Sequence, residues 1–159
     1  MNTLFLCSGN SARSIFGEAI LQRYGDDRFK AFSSWNRPSG EVNPLILEIL
    51  ETMGHDTSGL RSKSWDEFSC KGAPHLHFVF TVCNSAAQEM CPVWPGQPMT
   101  AHWGISDSAA VEGSKTVRIN AFLQAYAQLR RRIEIFLKLP LSSLEQIALH
   151  AKLDEIGKN

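Results

Sequence analysis

The sequence predicts an α/β domain: a four-stranded parallel sheet in a three-layer sandwich, with helices on both faces. Strand-like and helix-like patterns alternate along the chain. The first strand is apolar on both faces, and it passes through a glycine-containing loop directly into a helix. A length of 159 residues suits one domain, and 43% hydrophobic against 20% charged residues can fill a core of its own. Sixteen basic residues balance sixteen acidic ones, so no overall field draws the protein to nucleic acid or to an anionic membrane. Neither is expected as a partner, and any anion must be held by a local site.

Residues 3–7, Thr-Leu-Phe-Leu-Cys, form the first strand, which stops at Ser8-Gly9-Asn10. Ala12, Ile15, Phe16, Ala19 and Ile20 then recur at helical spacing up to Gly25. A second strand covers 29–33, and 36–42 is loop. Asn43-Pro44 supplies an N-cap and a first-turn proline for a helix through Leu45, Ile46, Ile49, Leu50 and Met53, ended by Gly54. Residues 55–74 are polar and irregular, with Trp65 and Phe68 docking a short helical turn. The β-branched and aromatic run 77–83 is the strongest strand signal, and 99–103 follows as the fourth strand after a proline-rich stretch. From Ala109, the residues Ile119, Phe122, Leu123, Tyr126, Leu129, Ile133 and Phe136 trace one face of a long helix that Pro140 breaks. A last helix is expected from Ser142, with Glu145 completing a capping box, to about Gly157.

In such a sheet, ligands bind at the carboxyl ends of the strands. Cys7 and Cys83 both sit at those ends. The run Cys7-Ser8-Gly9-Asn10-Ser11-Ala12-Arg13 places a cysteine and an arginine on either side of a five-residue loop between a buried strand and a helix N-terminus. Gly9 permits the torsions that turn successive N–H groups inward, and these amides make a nest for a tetrahedral oxyanion. Arg13 would clamp two of its oxygens. A thiol in that nest should lose its proton below the usual value of about 8.5, which would make Cys7 a nucleophile. A buried strand-end thiol and a solvated arginine would give the same residue types. The strand–loop–helix context favours the nest.

The chain should be cytoplasmic, because its apolar runs are too short to span a membrane and the N-terminus lacks the pattern of a signal peptide. Four cysteines, Cys7, Cys70, Cys83 and Cys91, are then expected to be thiols or catalytic groups rather than structural bridges. No Cys-x-x-Cys pair or histidine spacing suggests zinc, so no metal and no bound cofactor is expected.

The segment Leu4-Phe5-Leu6-Cys7-Ser8-Gly9-Asn10-Ser11-Ala12-Arg13-Ser14 resembles the active-site loop of the low-molecular-weight protein tyrosine phosphatase superfamily, in its thioredoxin-coupled arsenate reductase branch. Ser33, Glu41-Val42-Asn43-Pro44, Thr81-Val82-Cys83, Cys91-Pro92 and His102-Trp103-Gly104 leading to Asp107 extend the resemblance over residues 4–136. Residues 1–139 would then be the reductase domain, and 140–159 a helical extension packed on it.

The resemblance implies the following chemistry. Arsenate or phosphate binds to Ser8, Gly9, Asn10, Ser11, Ala12, Arg13 and Ser14, and Cys7 attacks it. Reducing arsenate takes two electrons, so a second thiol must follow the first. By resemblance, Cys83 attacks Cys7 and releases arsenite, Cys91 attacks Cys83, and thioredoxin reduces the Cys83–Cys91 disulfide. Glutathione with glutaredoxin is an alternative reductant. Seven residues separate Cys83 from Cys91, one more than in the best-known members. A thiol filling a buried strand end for Cys83 and an incidental loop thiol for Cys91 are the competing reading, and Cys70, with no place in the scheme, is expected to serve packing.

Asp107 matches the family's acid, which protonates the leaving oxygen, although Ser108 replaces the usual proline after it. Asp107 could equally cap a helix beginning near Ala109. Ser14 matches a hydroxyl that bonds the thiolate, and Asn10 and Ser33 match residues that hold the loop. Some arsenate reductases seat a potassium ion beneath this loop. Asn10, Glu18 and Ser33 match three of its ligands, while Lys63 stands where the acidic fourth would be, so its ammonium could replace the ion. A tyrosine phosphatase acting on phosphotyrosine or small phosphate esters is the alternative activity, disfavoured by the absence of a tyrosine after Asp107. A non-catalytic oxyanion-binding or redox-sensing module is the alternative of another class.

Overall fold

Thr3 to Leu6 are completely or almost completely buried, as a strand with neighbours on both edges and layers on both faces must be. In the computed structural model, which describes residues 1–84, 92, 94 and 96–158, this strand is β1 (Asn2–Leu6). It pairs in parallel with β2 (Lys30–Ser34) and β3 (Phe78–Thr81), and β3 pairs in parallel with β4 (Met99–His102). The order is β2-β1-β3-β4. Every strand runs the same way, so the segments after Leu6, Ser34, Thr81 and His102 meet at one edge of the sheet.

Helix α1 (Arg13–Tyr24) returns from the first of these segments. Helix α2 (Pro44–Thr52) starts as expected, with Asn43 Oδ1 accepting the Leu45 N–H at 3.0 Å. A single turn, α3 (Asp66–Ser69), carries Phe68 onto Phe32 of β2 with ring centroids 5.2 Å apart. On the opposite face, Phe16 of α1 packs edge-on against Phe122 and Tyr126 of the long helix α4 (Lys115–Leu137). Phe80 stacks on Trp103 at 3.8 Å, and Phe136 of α4 meets both rings edge-on. Helix α5 (Gln146–Ile156) buries Leu149, Leu153 and Ile156, and the Trp103 indole N–H donates to the Leu153 carbonyl at 2.9 Å. No helix among the described residues is long and apolar enough to cross a membrane.

The structure corrects two helix starts. The long helix begins at Lys115, not near Ala109, because Ser114 Oγ accepts the Val117 N–H and fixes the first turn there. Ser108–Ala110 forms a separate 3-10 turn. The last helix begins at Gln146 rather than Ser142. The Pro140 carbonyl accepts from the Ser143 and Leu144 N–H groups and from the Ser143 hydroxyl, so these residues close a turn of their own and the capping box does not form.

A polar contact joins α4 to the end of α2. His55 is buried, with Nε2 2.6 Å from the Tyr126 hydroxyl. Burial, reinforced by Arg23, lowers its pKa from 6.5. Below about pH 6.5 the unfolded chain therefore takes up a proton that the folded protein refuses, so this contribution to stability is complete above 6.5 and is lost as pH falls. The melting temperature should drop between pH 7.5 and pH 5.5, and His55→Gln should flatten that drop while lowering the value at pH 7.5. His77, also lowered by burial, retains part of the slope. An equally steep fall in the variant would refute this role for His55.

Candidate active site

The loop after β1 is built by tying its carbonyls outward. Gly9 has φ +78° and Asn10 φ +46°, the left-handed region that Gly adopts freely and Asn tolerates. The Gly9 carbonyl accepts from the Ser39 N–H at 2.8 Å and the Ser62 hydroxyl at 3.1 Å, and the Ser11 carbonyl accepts from the Asn43 N–H at 3.0 Å. Ser39 and Ser62 carry no sequence signal for this role; only the folded loop identifies them. With its carbonyls held by neighbouring segments, the loop can turn its amides to the inside.

Asn10 is fully buried, and its side chain fixes the loop from beneath. Its Oδ1 accepts the Lys63 N–H at 2.8 Å, and its Nδ2 donates to Ser14 Oγ at 2.9 Å. Lys63 Nζ lies 3.2 Å from Glu18 Oε1, 3.5 Å from Ser33 Oγ and 2.9 Å from the Arg61 carbonyl, while the Ser33 hydroxyl donates to Glu18 at 2.7 Å. The structure thus gathers Asn10, Glu18, Ser33 and Lys63 under the loop. Burial lowers the Lys63 pKa and Glu18 opposes that shift. An ammonium already bonded to the carboxylate, the hydroxyl and a carbonyl fills the place a monovalent cation would take, so these residues do not fit a potassium site.

Cys7 and Cys83, 2% and 1% exposed, lie together. The Ser8 N–H points at Cys83 Sγ, 3.3 Å away, and the Ser8 hydroxyl is 3.6 Å from the same sulfur. The sequence expectation of a lowered Cys7 pKa is overturned in this arrangement. A hydrogen bond with Cys83 holds the Cys7 proton, burial adds to it, and Arg13 and the Ser14 N–H pull the other way without prevailing. Cys91 lies outside the described residues.

Arg13 is 7% exposed. One of its Nη atoms donates to the Ile105 carbonyl at 3.1 Å, and the other is 3.5 Å from Asp107 Oδ1, whose side chain is half exposed. The segment 103–105 is pinned by the buried Arg132, which donates to the Trp103 carbonyl at 2.6 Å and the Gly104 carbonyl at 3.0 Å. Arg132 reads in the sequence as one of three consecutive arginines on a helix, and nothing there marks it as an anchor. Cys70 is exposed and stands apart from this cluster. No group of His, Cys, Asp and Glu among the described residues is arranged to hold a metal. A cavity of about 750 Å³ behind the loop is lined by Glu18, Phe32, His55 and Phe68 among others, but by none of residues 7–13, so it is not where Cys7 acts.

A buried cysteine at the head of a glycine-turned loop, an arginine near it and a carboxylate on that arginine are groups with which a protein can attack a tetrahedral oxyanion and protonate what leaves. Residues 2–146 match the family described as low molecular weight phosphotyrosine protein phosphatase. The chain belongs to this family. An arsenate reductase of Shouchella clausii is 32% identical over 132 residues, which are 83% of this chain and 91% of that protein. Two solved structures share the fold. One, described as an arsenate reductase in the phosphate binding state, is 22% identical with a TM-score of 0.65, covering 86% of this chain and 95% of its own. The other, a thioredoxin-dependent arsenate reductase of Corynebacterium glutamicum, is 23% identical with a TM-score of 0.60, covering 89% of this chain and 63% of its own.

Within this family's loop, the thiol pair is open to a direct test. Cys83→Ala removes the largest cause of the raised Cys7 pKa, so the pH midpoint of Cys7 alkylation by iodoacetamide should move to lower pH, with faster reaction at pH 7. An unmoved midpoint would place the cause elsewhere. The polar cluster gives a second expectation: turnover and melting temperature should be the same in potassium and sodium buffers, and Lys63→Met should cost about 3 kcal/mol by leaving the Glu18 carboxylate buried without its cation. A saturable stabilisation of the unaltered protein by potassium alone would contradict the fit described above.

Proposed function

We propose that this protein reduces arsenate to arsenite, with Cys7 as nucleophile, Cys83 and Cys91 as relay thiols, and thioredoxin as the external reductant in a cytoplasmic setting. The observation that carries the reading is the second thiol at the nucleophile. Cys83 Sγ takes the Ser8 N–H of the oxyanion loop and hydrogen-bonds Cys7. Hydrolysis of a phosphate ester has no use for a thiol there, whereas reduction requires one. The arsenate reductase relatives point the same way.

The substrate oxyanion would compete with Cys83 for the loop amides and with Asp107 for Arg13. Displacing Cys83 would remove the largest influence that raises the Cys7 pKa and leave burial opposed by Arg13 and the Ser14 N–H, so the thiolate becomes easier to form. That thiolate attacks arsenic, an As–O bond breaks, and the departing oxygen takes a proton from Asp107 and leaves as water. Cys83 then attacks the Cys7 sulfur. The S–S bond forms, the S–As bond breaks, and its electron pair stays on arsenic, which falls from As(V) to As(III) and leaves as arsenite carrying the proton lost from Cys83. Cys91 would attack Cys83, regenerating the Cys7 thiol, and thioredoxin would reduce the Cys83–Cys91 disulfide.

The decisive measurement is arsenate-dependent NADPH oxidation with thioredoxin and thioredoxin reductase, beside hydrolysis of a small aryl phosphate. Cys7→Ser should abolish both activities. Cys83→Ser and Cys91→Ser should each stop multiple turnovers with arsenate, and Cys91→Ser should accumulate a single equivalent of arsenite with a Cys7–Cys83 disulfide visible by mass spectrometry. Aryl phosphate hydrolysis should survive both relay substitutions. Retention of thioredoxin-dependent turnover in both relay variants would replace this reading with a phosphatase or an external-thiol mechanism, and substitution of the glutaredoxin system tests the reductant.

A further inference from the structure

His102 spans the chain on both sides of Cys83. Its Nδ1 lies 2.7 Å from Thr81 Oγ1, two residues before the cysteine, and its Nε2 lies 3.1 Å from Asn84 Oδ1, the residue after it. Thr81 and His102 face one another in the β3–β4 register, so the first contact is a cross-strand pair fixed by the sheet. The Asn84 amide oxygen can only accept, so Nε2 donates to it, and the same ring reaches the Thr81 hydroxyl through Nδ1.

A second observation, independent of these bonds, concerns Gly104. A Cβ there would lie 2.6 Å from His102 Nε2 and 2.9 Å from Asn84 Oδ1. Any side chain at 104 would push into the place where the ring and the amide meet. The glycine therefore clears room for the contact, and the buried Arg132 holds its backbone carbonyl.

We propose that His102 is a positioning residue for Cys83, with Gly104 providing its clearance. By fastening the residues on both sides of the thiol to β4, it holds Cys83 Sγ at the rim of the loop within reach of Cys7. The imidazole exchanges no proton with either thiol; it acts only through the chain it fastens. This deepens the relay reading above and rests on it for its purpose, but the fastening itself can be measured without arsenate.

The test is site-resolved alkylation of the reduced full chain by iodoacetamide, followed by mass spectrometry. In His102→Ala, Cys83 should react about tenfold faster, as expected for the loss of one to two hydrogen bonds, with exposed Cys70 unchanged as internal control. His102→Gln, which keeps a donor and an acceptor, should fall nearer the unaltered protein, and Gly104→Ala should shift Cys83 in the same direction as His102→Ala. In a Cys91→Ser background, His102→Ala should slow arsenate-driven formation of the Cys7–Cys83 disulfide about tenfold, while aryl phosphate hydrolysis stays within about twofold. Unchanged Cys83 alkylation in His102→Ala overturns the proposal, as does a loss of hydrolysis equal to the loss of disulfide formation. If the alkylation contrast is present but no Cys7–Cys83 disulfide forms with His102 intact, the relay reading fails and the fastening of Cys83 by His102 stands.

Discussion

A backbone turned through the left-handed region at two consecutive residues does not hold itself, and at Asn10 it is held by a side chain that cannot reach water. The Asn10 amide is fully buried and bonded in both directions, to the Lys63 N–H and to Ser14 Oγ. Leaving either end unpaired would cost about 1–3 kcal/mol, so the loop geometry and the segment carrying Lys63 are stable only together. Lys63 in turn places its ammonium on Glu18 of α1 and near Ser33 of β2, while its carbonyl accepts the Trp35 N–H. One amide thus connects loop, first helix, second strand and the irregular segment beyond Gly54. An oxyanion site made of backbone amides has no side chain to aim, so its precision depends on how firmly the chain beneath it is fixed.

That site does not stand idle in its own fold. The Ser8 N–H, which a tetrahedral anion would use, points at Cys83, and Arg13, which would clamp two anion oxygens, reaches Ile105 and Asp107. The same contacts keep Cys7 protonated, since its proton is held by Cys83 and by burial. Cys83 therefore restrains Cys7, while Asp107 and the Ile105 carbonyl occupy Arg13. A free thiolate in an open site would be exposed to the oxidation ladder of cysteine.

The parallel first strand, the strand–loop–helix at Cys7 and the capped start of α2 were legible because each rests on local chemistry: an unalternating apolar run, a glycine at a turn, an Asn-Pro pair. The two misplaced helix starts have a common cause. Ser142 and Asp107 are residues that can cap, but Pro140 and Ser114 offered better local partners, and hydrogen-bond competition within four residues leaves no trace in periodicity. The direction of the Cys7 shift was misread for a different reason. The loop alone argues for a thiolate, and the opposing influence comes from a sulfur 76 positions away, brought in by β1–β3 pairing. Ser39, Ser62 and Arg132 were likewise invisible, since each acts on a backbone carbonyl, and sequence does not say which carbonyls a fold leaves in need of a donor.

Arg132 of α4 and Trp103 together explain how the last two helices bear on the segment before Asp107. Burying a guanidinium costs several kcal/mol unless its donors are used, and here one Nη atom serves two successive carbonyls, Trp103 and Gly104, at the turn out of β4. The Trp103 ring between them and the core is stacked on Phe80 and donates to the Leu153 carbonyl of α5. The next carbonyl along, Ile105, receives Arg13. Three consecutive residues are thus fixed from α4, from α5 and from the oxyanion loop, and Asp107 follows them by two positions on the exposed side. Asp107 thus hangs from a backbone that is anchored from behind. Its side chain is half exposed and 3.5 Å from the Arg13 guanidinium, an arginine that an anion in the loop would also reach.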